Sequence, residues 1–230
     1  MTPVRNGSTR SPVPPRTRAR IDRAEIVVAA RDLLDEEGPA AFTMARIGDR
    51  LGVTAMALYR HVADRRDLEH AVVELVLRDL DVDAPPSDDW ADAVAAWMRG
   101  VRDHLLRHPW VIHLIGSRRE LSPPWLGALD RLVCILDDAG FEIDTVAQEI
   151  VRITRATLGI TIQEIEAPLP HAAANSATML AALSESARPR WRPIVDALAH
   201  YSDDDLFDDL VADTLTRLHA ELGLPYPTPT

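Results

Sequence analysis

Residues 43–60 constrain this chain more than any other stretch, because they place two short amphipathic segments around one glycine. Ile47 and Leu51 give the first segment an apolar side at helical spacing, and Thr43 stands where an N-cap hydroxyl belongs. Gly52 ends that segment. Val53 then plugs the corner, and Thr54 caps a second segment running to about Arg60. Two short helices about three residues apart at a glycine form the helix-turn-helix pattern.

The flanks fit the same unit. Asp22 and Glu25 stand in capping-box positions, Ile26, Ala30, Leu33 and Leu34 follow at helical spacing, and Gly38-Pro39 stops the helix. On the other side Asp64 caps a fourth helix, with Leu68, Val72, Leu75, Val76 and Leu80 on its apolar side. Residues 83–87 (DAPPS) read as a hinge-like break. Beyond it, Trp90, Val94, Trp97, Met98, Val101 and Leu105 form a broad helical stripe that Pro109 ends. The next helix is expected over 124–139, with Leu126, Leu129, Leu132, Val133 and Leu136 inward and Gly140 at its end. Asp144 is expected to cap a long helix reaching Glu166, broken by Pro168-Leu169-Pro170. After a Ser- and Ala-rich stretch, helix resumes near 191–200 and 204–222. No segment alternates in the manner of a strand, so the fold class is all-α. The expected parts are a tail over 1–20, a helix-turn-helix domain over 21–82, a helical ligand-binding and dimerisation domain over 83–223, and a Pro-rich tail over 224–230.

A net charge of −11 looks wrong for a protein that meets DNA, and its distribution resolves the conflict. Residues 1–80 hold 13 Arg against 12 acidic residues, whereas residues 81–230 hold 12 against 24. Residues 1–20 alone carry five Arg and no acid, among four prolines, as a disordered tail would. Such a tail either follows the DNA backbone or minor groove or is simply solvated. No apolar run approaches the roughly 18 residues needed to cross a bilayer. The first 20 residues lack the apolar core of a signal peptide, and one cysteine, Cys134, cannot form an intramolecular disulfide. A cytoplasmic protein without membrane contact is expected.

Ala29-Ala30, Leu33-Leu34, Glu37-Gly38, Thr43, Ile47, Leu51-Gly52-Val53-Thr54, Leu58-Tyr59-Arg60-His61-Val62 and Leu68 together resemble the N-terminal domain of the TetR family of regulators. His108-Pro109-Trp110, the LDDAGF stretch over 136–141, and Thr157-Leu158-Gly159 with Glu164 resemble the ligand domain of its tetracycline-repressor branch. The resemblance implies a homodimer that binds double-stranded operator DNA and responds to a small-molecule effector. It puts Ala55, Met56, Ala57, Tyr59, Arg60 and His61 on the DNA side, with Thr43 and Arg46 supporting and Thr54 opening the recognition helix. Arg65 joins Thr43, Tyr59 and His61 as a phosphate contact near the positive end of the helix capped by Asp64. Arg60 has the geometry to pair with guanine, while Ala55 and Ala57 offer only methyl contact. Ala45 departs from the tetracycline-repressor branch, which has an arginine there, so a different operator is expected.

The effector pocket is read from residue types. Trp97, Val101, Leu105, Trp110, His113, Trp125, Leu129, Thr161 and Gln163 combine large apolar surfaces with a few hydrogen-bonding groups, as pocket walls do. Any one of these aromatics taken alone reads as filling a helical core, but four of the five tryptophans fall between residues 90 and 125, and that clustering favours a cavity for a flat or polycyclic molecule. Where the tetracycline-repressor branch places a drug-binding histidine this chain has Asp81, so a magnesium–tetracycline complex is not the expected ligand. His104 and His108 share a helical face but lack further metal ligands, so a solvated or singly hydrogen-bonded pair is expected. The Asp-rich run over 203–209 suits a helix N-terminus without a metal. No phosphate loop, nucleophile elbow or metalloprotease helix is present, and neither cofactor nor enzymatic activity is expected. A metal-assisted helical enzyme and a helical interaction module without DNA binding are the rival readings.

Overall fold

The computed structural model describes residues 21–82, 89–115, 122–169, 176–198 and 200–224, and every regular element among them is helical. The tail over 1–20, the 83–87 break, Pro170 and residues 225–230 lie outside the described residues.

The first helices are α1 (Arg23–Glu37), α2 (Met44–Leu51), α3 (Ala55–Leu58) and α4 (Arg65–Arg78). Asp22 caps α1 in a full capping box, its carboxylate accepting from Glu25 N while Glu25 accepts from Asp22 N. Gly38 ends α1, and Pro39 starts a single tighter turn before α2. Ile26, Ala30, Leu33 and Leu34 bury completely or nearly so against Ile47, Leu58, Val62 and Leu68, so three short elements share one core. On α4 the buried stripe is Leu68, Val72, Val73, Val76 and Leu77, while Leu75 and Leu80 are only half-buried. The expected stripe was rotated by part of a turn, because α4 packs against α1 on one side and against later helices on the other.

The remaining helices are α5 (Trp90–Arg107), α6 (Val111–Ile115), α7 (Pro123–Asp138), α8 (Ile143–Glu166), α9 (Ser176–Ala182), α10 (Arg188–Leu198) and α11 (Asp203–Glu221). The α5 stripe is as expected: Val94, Trp97, Met98, Val101 and Leu105 are buried and Trp90 is half-buried. α5 packs on α7, α8 and α11, and α4 touches α6 and α7.

Several boundaries and faces differ from expectation. Leu126 is exposed, because the buried side of α7 is Ala128, Leu132, Ile135 and Leu136. Leu126 lies two residues before Ala128, about 200° away around the helix. Glu142, not Asp144, occupies the N-cap of α8, and it makes no side-chain cap. Asp144 lies in the first turn, where its charge still suits the helix dipole. α9 falls inside the stretch expected to be irregular, its small residues offering no apolar stripe to announce it.

Candidate nucleic-acid interface

The helix-turn-helix corner is built by local bonds. Thr43 Oγ1 accepts Arg46 N at 3.2 Å and caps α2. Gly52 turns left-handed (φ 68°), and Val53 N donates to Gly48 O at 2.9 Å to close the turn. A Cβ on Gly48 would lie 2.7 Å from Val53 O, so only glycine lets the chain return this tightly. Thr54 opens α3 through its backbone, its carbonyl accepting from Ala57 N, and its side chain makes no capping bond. α3 ends at Leu58, not near Arg60. His61 N bonds Leu58 O at 2.8 Å, the tighter i→i+3 pattern in which short helices finish. Apolar spacing alone does not separate that turn from a last α-turn.

Burial sorts the side chains of this corner. Ile47 and Leu58 are fully buried and Val62 nearly so, which anchors both helices. Thr43, Arg46, Thr54, Met56, Tyr59, Arg60 and Arg65 are exposed, and Ala55, Ala57 and His61 are half-buried. Met56 is 76% exposed and Tyr59 45%, so α3 and the turn after it present two large side chains to solvent. Arg46 is paired with Glu37 across the α1–α2 join. Arg65 bonds Glu69 at 2.8 Å and lies over the Phe42 ring. Among the described residues Arg60 has no ion pair or side-chain hydrogen bond. The corner is fixed to its neighbours by Arg23, whose guanidinium grips both oxygens of Asp67 at 2.7 and 2.8 Å and also donates to His61 O. That guanidinium, and then Ala63 N–H, hold the Asp67 carboxyl down to about 2.

Two family models cover most of the chain: one described as bacterial regulatory proteins of the tetR family over residues 26–72, the other as the tetracyclin repressor-like C-terminal domain over 83–203. The chain belongs to the TetR family. An HTH-type transcriptional regulator of Saccharopolyspora erythraea is 31% identical over 126 residues, which cover 55% of this chain and 53% of that protein. The chain thus spans about half the length of the first curated relatives it matches. A solved Streptomyces coelicolor structure, described as a possible TetR family regulator, is 29% identical with a TM-score of 0.71, covering 86% of this chain and 99% of that one. ActR, a TetR family protein of the same organism solved in complex with actinorhodin, shares the fold at 22% identity and a TM-score of 0.73, over 88% of this chain and 97% of its own.

In this TetR-family chain the residues expected to meet an effector do not form one group. Trp97, Val101, Leu105 and Thr161 are buried in the interior, with Trp125 and Leu129 half-buried beside them. Trp97 is fully buried and donates to Ala128 O at 2.7 Å, which fastens α5 to α7. Its ring centroid lies 6.3 Å from that of Trp125. Trp110 points elsewhere, donating to Asp35 on α1, and His113 and Gln163 are exposed. An open groove of about 480 Å³ lies between the end of α4 and α7, lined by Leu77, Leu80, Val82, Ala128 and Arg131 among others. Its described walls include none of the residues that sequence assigned to the effector.

His104 is buried, not solvated, and neither of its ring nitrogens has a hydrogen-bond partner among the described residues. Burial first, then the charges of His108 and Arg107, push its pKa down to about 4 against the opposing pull of Asp79. His108 is singly bonded, through Nδ1 to Asp35 at 2.9 Å. Among the described residues no cluster of His, Cys, Asp or Glu has the form of a metal site. In the Asp-rich run, Ser202 and Asp205 form a capping box, Asp203 accepts from Leu169 N, and Asp209 accepts from Tyr201.

Two networks escaped the sequence. Arg102 donates to both oxygens of Glu164 at 2.7 and 2.8 Å and to Asp204 at 2.6 Å, with its guanidinium over Phe207. Its pKa is raised accordingly, chiefly by Glu164. Glu149, 1% exposed, is held by Arg152 and Arg217. Partners 62 and 68 residues apart carry no local signature.

Proposed function

We propose that the chain is a dimeric transcriptional repressor that binds a pseudo-palindromic operator and leaves it when a small, largely hydrophobic molecule binds the helical part. Residues 21–82 act as the DNA-binding domain and residues 83–223 as the effector and dimerisation domain. The observation that carries this reading is α3, which is anchored by Leu58 and offers Met56, Tyr59 and Arg60 to solvent, Arg60 having no ion pair among the described residues. A short helix held this way fits the major groove, and two such helices about 34 Å apart would reach successive turns of one face of the duplex. Exposed apolar residues on α8 (Ile143, 72%; Val151, 49%) and α11 (Leu206, 39%) support dimerisation through those helices. The solved complex of ActR with actinorhodin supports a small-molecule effector. Trp97, Val101, Leu105, Trp125, Leu129 and Thr161 are the proposed interior contacts; Trp110, His113 and Gln163 would join them only in a rearranged state.

Selection from a randomised duplex pool tests the reading, followed by binding of the selected duplex to wild type and Arg60→Ala. A single two-fold-symmetric sequence is expected, with Arg60→Ala costing about 1–3 kcal/mol and relaxing preference at one base pair. A folded Arg60→Ala protein that binds unchanged overturns the assignment, and a pool without enrichment overturns DNA recognition.

A further inference from the structure

Asp35, near the end of α1, is the meeting point of two hydrogen bonds from the other side of the molecule. His108 Nδ1 lies 2.9 Å from its Oδ1, and Trp110 Nε1 donates to the same oxygen at 2.6 Å. Both donors belong to the corner between α5 and α6; Trp110 is 3% exposed, whereas Asp35 keeps contact with solvent, so the Trp110 bond is the more sheltered of the two. They join the helix that carries the helix-turn-helix to the helices that hold the proposed effector contacts.

One turn before His108 on the same helix is His104, whose ring centroid lies 5.3 Å from that of His108. It is 1% exposed, and neither nitrogen has a hydrogen-bond partner among the described residues. A neutral imidazole always has one N–H and one bare nitrogen, so both an uncompensated donor and an uncompensated acceptor are buried. Such orphans are rare in folded proteins because each forfeits its bonds to water. Gly100, one turn before His104 on α5, lies so close to the residues after α4 that a Cβ on it would collide with Asp81 O, so the C-terminal half of α5 meets the end of α4.

We infer that this junction is a balanced two-state joint: the His108–Asp35–Trp110 bonds hold it closed, and the unpartnered His104 imidazole favours opening. Opening gives His104 access to water or to a group on a bound molecule, and frees Asp35 from the α5–α6 corner. α1 and α4 both end at this joint, so its state changes the angle at which α3 is presented. The inference rests on the DNA-binding reading for its consequence, and on the joint alone for its mechanics.

The test opposes two variants. His104→Leu keeps a similar volume and removes both orphan atoms, which favours the closed joint. Asp35→Ala removes the shared acceptor, which favours the open one, and Trp110→Phe is a milder version that keeps the aromatic packing. Against the selected duplex, His104→Leu and Asp35→Ala should move Kd in opposite directions, each by roughly three-fold or more. Melting should separate them too, with His104→Leu raised by roughly 2–6 °C and both latch variants lowered. Kd values that stay together, or move the same way in folded proteins, overturn the joint. If Asp35→Ala does not fold, Trp110→Phe supplies the opposing arm. A pool that yields no duplex overturns the DNA reading and leaves the joint to hydrogen exchange. Peptides of α4 must then exchange more slowly in His104→Leu and faster in Trp110→Phe, and equal rates overturn it.

Discussion

The α2–α3 corner and the interior of α5 to α8 divide structure and chemistry in opposite ways. At the corner, Ile47, Leu58 and Val62 hold the shape while Met56, Tyr59 and Arg60 face out, so support and contact fall on different residues. In the interior, Trp97 is at once a buried core residue, a hydrogen-bond bridge to α7 and a proposed effector contact. A surface that reads DNA can be altered without disturbing its base. A cavity enclosed by core residues cannot, because each wall residue also packs against its neighbours.

The largest expected effect breaks the comparison on the interior side. Trp97→Ala should cost about 3–5 kcal/mol of stability, seen as a lowered denaturation midpoint. A stable Trp97→Ala protein would mean that the interior tolerates an effector-sized void, and that support and contact are separable there as well. Trp97→Phe, which loses the bond to Ala128 and part of the volume, should fall between the two.

Acidification comes next, and it acts through His104. Its pKa falls from an ordinary 6.5 to about 4 in the folded protein, so folding favours the neutral ring. The neutral ring is bound in full above pH 6.5. As pH falls from 6.5 towards 4, stability should drop by roughly 1.4 kcal/mol per unit from this group, because the unfolded chain takes up the proton first. Below about 4 that contribution levels off, and Asp67, held down to about 2 by Arg23, begins to lose its own. Denaturation curves between pH 7 and 4 check this, and an equally steep decline in His104→Leu would assign it to other groups.

The smallest effect sharpens the corner side. Thr43→Ala removes the cap of α2 and should cost about 1 kcal/mol of stability. If Thr43 also meets a phosphate, the operator affinity lost should exceed what unfolding explains, with the salt dependence unchanged because the hydroxyl carries no charge. Equal losses in both measurements would leave Thr43 as a cap only.

Legibility followed the same division. The Asp22–Glu25 box, the Thr43 cap and the Gly52 turn were readable because their partners lie within three or four residues. The buried stripe of α5 was readable because its period repeats for four turns. Leu126 was placed on the wrong face because it stands at one edge of the arc of about 120° that the leucines of α7 span, while burial centres beyond the opposite edge, on Ala128, Leu132 and Ile135. The cap of α8 was misplaced by two residues for a related reason, since Glu142 and Asp144 are both acidic and only backbone geometry distinguishes them. The Asp35 joint and the Arg102 clamp link residues 62 to 102 positions apart, where no spacing rule applies.

The tightness of the turn at Gly48 and Val53 has a consequence for the history of such proteins. Because the corner is closed by backbone atoms and one missing side chain, its shape does not depend on which residues stand at the exposed positions 56 and 60. Those two positions can be exchanged one at a time while the scaffold persists. Lineages sharing this corner are therefore free to acquire new operators by small steps, and the preference of any one of them records its outward residues rather than its ancestry.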